Sequence, residues 1–152
     1  FMIGVDYPSR EEEIAIARTT TGATLPNLEH ILCGEKILKF QNLVRRVPVA
    51  EHNYHFAVDL VRRTRPDSDD APDWIAPYVG WGAGPRAVQY LILGARARAA
   101  LNGSYMVRQE DIIAVAEPVL RHRVIKTFTA ESEGITCRSI IARLVEELSS
   151  EI

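Results

Sequence analysis

At 152 residues, with 47% hydrophobic and 25% charged side chains, the chain is long enough for one domain with its own core and too apolar to be disordered. Eighteen basic against 20 acidic residues leave a net charge of −2, which argues against nucleic-acid binding through the phosphate backbone. No run reaches the roughly 18 apolar residues of a membrane span, no secretory leader is expected, and Cys33 and Cys137 follow no pairing pattern, so reduced thiols in a cytoplasmic protein are expected.

The chain opens on Phe1-Met2-Ile3-Gly4-Val5, apolar and without an initiator methionine, which reads as a cut through a larger protein. Met2 to Val5 is expected to be either the last strand of a sheet outside the chain or a bare linker, stopped by Tyr7-Pro8. Ser9 stands three residues before Glu12, a capping box, and Glu11 to Glu13 load the first turn with negative charge. The helix they open is predicted to end near Thr21-Gly22, before a loop with Leu25, Pro26 and Leu28. From Gly34, the residues Ile37, Phe40, Leu43, Val44 and Val47 recur at helical spacing until Pro48. A further helix is predicted from Glu51 to Arg65, burying Phe56, Ala57, Leu60, Val61 and Thr64 and showing Asp59, Arg62 and Arg63 to water. The stretch from Pro66 to Pro72 reads as an acidic linker. Trp74, Ile75 and Tyr78 fit a brief helical turn on the core.

Gly80, Gly82 and Gly84 lead into Pro85-Arg86 and a long Ala-rich helix to about Asn102-Gly103, with Val88, Leu91, Ile92, Ala95 and Ala99 inward. Tyr105 to Val107 should be extended, and Gln109 to Ala116 helical, with Glu110 and Asp111 in the first turn and Pro118 as the break. Val119-Leu120 begins a segment ending at Arg121-His122-Arg123, and Val124 to Phe128 is strand-like. The last helix starts at the cap Thr136 and aligns Ile140, Ile141, Leu144, Val145 and Leu148. Six or seven helices with at most two or three short strands make an all-α bundle.

Glycines before a helix start offer free N–H groups to an anion, but a Walker loop ends in Lys and Ser or Thr, and neither is here. The loop delivers Pro85 at the first helical position, where its missing N–H costs nothing, and then Arg86. A cation there opposes the helix dipole by about 0.3–1 kcal/mol. Either an anion shared with the helix N–H groups compensates, or Arg86 is an ordinary surface arginine. His52 and His55, three apart, have no further ligand at metal spacing and read as a solvated pair. His30 and Cys33 make no nucleophilic pair. Asp67, Asp69 and Asp70 lack the glycine and terminal glutamate of a calcium loop. No metal site is expected. Arg121, His122 and Arg123, with Lys126 behind, are either solvated or face a phosphate or an acidic partner.

In order and spacing these pieces resemble the C-terminal region of a MoxR-type AAA+ ATPase. The landmarks are Phe1-Met2 with Tyr7-Pro8-Ser9 and the Glu run, Leu43 to Val49, Ala57 to Arg65, Gly82 to Ala87, Tyr105 to Val107 before Glu110-Asp111-Ile112, and Val119 to Arg123. The resemblance implies a nucleotide-binding core before Phe1, residues 1–8 as the end of that core, and residues 9–152 as a helical lid. It implies that Arg86 is the sensor 2 arginine, the catalytic candidate, and that Tyr7, Pro8, Gly84, Pro85 and Arg86 contact nucleotide. Gly84 departs from the serine frequent at that position.

The family further implies ATP and Mg2+ as cofactors of the full-length protein and a ring, commonly a hexamer. It also implies chaperone-like work in metal or cofactor insertion beside a von Willebrand factor A domain protein or a client, with neither nucleic acid nor membrane as partner. No phosphate loop, Walker B strand, sensor 1 or core arginine finger lies in these residues, so the isolated chain should neither hydrolyse ATP nor hold it tightly. Two other readings are a non-catalytic helical interaction module, using the Arg121 to Lys126 surface or a helix groove, and a helix-turn-helix DNA binder, which the acidic balance disfavours.

Overall fold

The computed structural model describes residues 1–23 and 28–151. Leu25 and Pro26 of the expected loop lie outside them. The order is α1 (Arg10–Thr20), α2 (Gly34–Arg46), α3 (Glu51–Arg62), β1 (Val79–Trp81), α4 (Pro85–Leu101), α5 (Gln109–Leu120), β2 (Ile125–Lys126), α6 (Phe128–Ser132) and α7 (Cys137–Ser150). The fold is all-α, as the periodicity predicts.

At the centre lies α4. Its small alanines let α2, α3 and α5 approach closely, and Ala87, Leu91, Ala95 and Ala99 are fully buried. Phe56, Leu60 and Val61 of α3, Ile112, Val119 and Leu120 of α5, and Ile140, Ile141 and Leu144 of α7 complete one core. Each large side chain so buried contributes about 1.5–3 kcal/mol. Of the α7 stripe only Val145 stays half-buried, as Val88 does on α4.

Capping signals act where the sequence puts them. The Ser9 hydroxyl accepts from the Glu12 N–H and the Glu12 carboxylate accepts from the Ser9 N–H at 2.7 Å, while the Thr136 hydroxyl accepts from Ser139 at 3.0 Å. The extended residues 105–107 are held by a parallel bridge of Val49 to Val107 and by the buried Asn53 amide, which donates to the Val107 carbonyl at 3.0 Å. Arg96 donates to the Arg45 carbonyl at the end of α2 and to the Tyr54 hydroxyl.

Four expectations change, and for Met2 to Val5 the structure shows the unpaired alternative. Pro118 lies inside α5 instead of ending it. The carbonyl it leaves without an N–H belongs to Ala114, an exposed residue, and buried Val119 and Leu120 hold the last turn. The third helix ends at Arg62, after which Thr64 and Arg65 donate to carbonyls three residues back in tighter turns. The acidic stretch 66–72 is no linker but a chain of turns folded back on α3, with Asp70 paired to Arg62. Only Ile125–Lys126 of the strand-like stretch pairs, antiparallel with β1 and with a bulge between Val79 and Trp81, and Phe128 opens α6, capped by Thr127. Residues 1–9 have no regular structure. The Phe1 ring sits over Gly94, where a Cβ would come within 2.5 Å of it, and the Met2 N–H donates to the Pro118 carbonyl at 2.8 Å.

Candidate functional site

The glycine loop between β1 and α4 is fixed at its middle and open at its end. Ala83, fully buried, donates its N–H to the Thr64 hydroxyl at 2.9 Å and accepts the Arg65 Nε–H on its carbonyl at 2.9 Å. Thr64, itself buried, directs its hydroxyl proton to the Val61 carbonyl at 2.6 Å, which leaves its lone pairs for Ala83. Gly82 rests on the same turn, and a Cβ there would come within 2.4 Å of the Thr64 carbonyl oxygen. Beyond Ala83 the loop emerges. Gly84 is the exposed N-cap of α4, extended at φ −85°, with no side chain to cap the helix and open space where a Cβ would go.

Pro85 and Arg86 follow as the first two helical residues, both exposed. From Arg62 onward every arginine but Arg86 has a side-chain hydrogen bond or ion pair among the described residues. Its charge and the N-terminal N–H groups of α4 both attract anions and belong to the same helix start. Beside this helix start, a cleft of about 450 Å³ separates the 65–68 turn from the 80–85 loop, with Trp81, 69% exposed, on its rim.

The other expected contact residues stand apart. Tyr7 is 98% exposed and Pro8 is exposed, and no hydrogen bond or ion pair among the described residues joins them to Gly84, Pro85 or Arg86. The chain before them is anchored at Gly94, eight residues or about 12 Å along α4 from Arg86.

The basic cluster at 121–126 is largely used inside the fold. Arg123 lies over the Tyr90 ring at 5.0 Å and donates to the Val119 carbonyl, and Lys126 donates to the Ile135 carbonyl at 3.0 Å. Arg121 faces Glu117 at 3.9 Å. Partial burial, with Arg123 adjacent, lowers the pKa of His122 from its ordinary value. His52 and His55 are exposed, and no group of three or more His, Cys, Asp or Glu side chains suited to a metal occurs among the described residues.

Sequence reasoning placed Arg86 at the start of a helix but missed the partners of the loop behind it. Thr64 is legible as a buried position, yet nothing in the local pattern links its hydroxyl to an amide 19 residues away.

The AAA lid domain family matches residues 73–144, from the turn before β1 into α7. The chaperone MoxR1 of Mycobacterium tuberculosis is 32% identical over 149 residues, 98% of this chain and 39% of that protein. The uncharacterised protein YeaC of Bacillus subtilis is 26% identical over 146 residues, 95% of this chain and 43% of that one. A crystal structure of a candidate ATPase from Cytophaga hutchinsonii superposes with a TM-score of 0.82 at 29% identity, covering 93% of this chain and 43% of its own. The bundle is therefore an AAA lid. With matching sequence along nearly its whole length, the chain belongs to the lid regions of MoxR-type AAA+ ATPases. It spans about two fifths of the length of the relatives it matches.

Proposed function

We propose that this chain is the nucleotide-sensing lid of a chaperone-like AAA+ ATPase, with Arg86 as its sensor 2 arginine. The observation that carries the reading is a guanidinium at the exposed start of α4 with no hydrogen bond or ion pair among the described residues, in a stretch from Arg62 onward whose other arginines are all paired. In this reading residues 1–8 are the end of the nucleotide-binding core, residues 9–152 the lid, and the Walker motifs lie before Phe1. ATP and Mg2+ bind that core, and the intact protein forms a ring that remodels a client or aids metal or cofactor insertion, with a von Willebrand factor A domain protein as the expected partner class.

The mechanism is electrostatic. A terminal phosphate concentrates negative charge, the guanidinium of a second domain is drawn to it, and hydrolysis removes the attraction, so the lid moves relative to the core. Gly84 and Pro85 shape the approach, and Tyr7-Pro8 would contact the nucleotide from the connecting segment. The bundle by itself supplies one cation and no phosphate cradle, so it should be inactive alone.

In the intact protein, Arg86→Ala is expected to lower steady-state ATP turnover by about tenfold or more while circular dichroism and the melting temperature stay as they are. Unchanged turnover rejects the role. Because the side chain has no hydrogen bond or ion pair among the described residues, its removal should cost the fold little, which separates a lost catalytic contact from a damaged domain.

A further inference from the structure

We infer that Thr64 and Arg65, at the end of α3, are positioning residues for Arg86: they set the loop that presents the guanidinium, without touching nucleotide themselves. The inference rests on the sensor role proposed for Arg86 and adds the residues through which that role depends on α3.

Three features of one turn act on two consecutive residues of the loop. The Thr64 hydroxyl holds the Ala83 N–H, the Arg65 guanidinium holds the Ala83 carbonyl, and the Thr64 carbonyl sits where only a residue without a Cβ can approach, at Gly82. Ala83 is thereby fixed on both sides of its α-carbon, three residues before Arg86. From there to Arg86 the path is short and stiff. Gly84 is extended, Pro85 has a ring-locked φ, and the Ala87 N–H donates to the Gly84 carbonyl at 2.9 Å to close the first turn.

The hydroxyl is itself aimed. Its proton is committed to Val61 at 2.6 Å, so it meets Ala83 as an acceptor only. A residue of the same shape without oxygen would bury an unpaired N–H at Ala83, and the loop would shift to recover a partner. A guanidinium that must meet a phosphate in the transition state loses rate for small misplacements, since an error of about 1 Å can cost up to about a hundredfold.

The test is a set of variants of the intact ATPase, read by steady-state ATP hydrolysis. Thr64→Val is expected to lower kcat by about threefold to tenfold with KM for ATP little changed, and Thr64→Ser to restore most of it. Combined with Arg86→Ala, Thr64→Val should add nearly nothing, because a misplaced side chain that has been removed has no further effect. A structural role without positioning predicts the opposite: losses that multiply in the double variant.

Hydrogen exchange checks the geometry independently of turnover. The Ala83 amide should exchange faster in Thr64→Val than in Thr64→Ser. If Thr64→Val does not fold, Arg65→Gln, which releases the Ala83 carbonyl from a half-buried side chain, carries the turnover comparison, alone and combined with Arg86→Ala. Should Arg86→Ala lower turnover while Thr64→Val and Arg65→Gln leave it at the parent level, the positioning inference is overturned and the sensor role stands. Should Arg86→Ala change nothing, the sensor role itself falls.

Discussion

Gly82 and Gly84 lie two apart in one loop and are glycine under different pressures. At Gly82 the backbone of Thr64 occupies the space of a Cβ, so Gly82→Ala must push the loop off the end of α3. The expected cost is about 1–3 kcal/mol, read as a lower urea midpoint. At Gly84 there is open space and an uncapped helix, so Gly84→Ser should gain a few tenths of a kcal/mol by supplying the missing cap. The two substitutions thus move stability in opposite directions. The place of Arg86 at a helix start was legible because a Gly-Pro-Arg entry to a helix is a local pattern, whereas the Thr64 and Arg65 contacts with Ala83 arise only when the chain folds back through the 66–72 turns.

Among the helices, α5 shows most clearly how tertiary contacts decide what local rules leave open. Its start carries a buried carboxylate: Asp111 takes the Arg98 guanidinium at 2.6 Å and the Arg108 N–H at 3.0 Å. Removing it in Asp111→Ala leaves both donors without a partner. Arg98 is partly exposed and recovers some hydration, so the expected loss is about 2–3 kcal/mol, measurable by chemical denaturation. At the other end, burial of Val119 and Leu120 carries the helix past Pro118, which the rule that proline ends a helix did not foresee. Charge could be placed on this helix from sequence; burial strong enough to override a proline could not.

The last helix is pinned by side chains as well as by its apolar stripe. Trp74 donates its indole N–H to Glu147 at 2.9 Å, Arg143 stacks over the Trp74 ring at 4.0 Å, and Arg63 forks onto Glu151. The Arg63 guanidinium holds the Glu151 carboxyl below its ordinary value of 4.5, and Arg62 does the same to Asp70 from 3.8. A carboxylate with a lowered folded pKa binds fewer protons when folded than when unfolded. Its stabilisation is therefore complete above the ordinary value and is lost as pH falls through the folded one. The denaturation midpoint of the parent should accordingly fall below about pH 4.5, and the Glu151→Gln, Asp70→Asn variant should show a shallower fall over that window.

Across the whole molecule, order is unevenly supported. Helices α4, α5 and α7 share the core, whereas α1 and α2 bury no residue among those described, and Ile14, Ile16, Ile37, Phe40 and Leu43 stay exposed. An 11-residue helix with no buried side chain is marginal in water, whatever its cap. Amide exchange on the isolated chain should be fastest along α1 and slowest at Leu91, Ile112 and Leu144. The start of α1 was readable to the residue from Ser9 and Glu12. That it would bury no side chain among the described residues was not, since its isoleucines look like core positions in a sequence.

The 17 residues of α4 form a strut about 25 Å long, beginning at Pro85 and wedged along its length between three neighbours. Close packing leaves such a strut little room to flex, so a tug on its leading turn reaches Leu101 as a whole-body shift rather than dissipating midway. The small alanine side chains that bring α2, α3 and α5 so near are also what would make them travel with it.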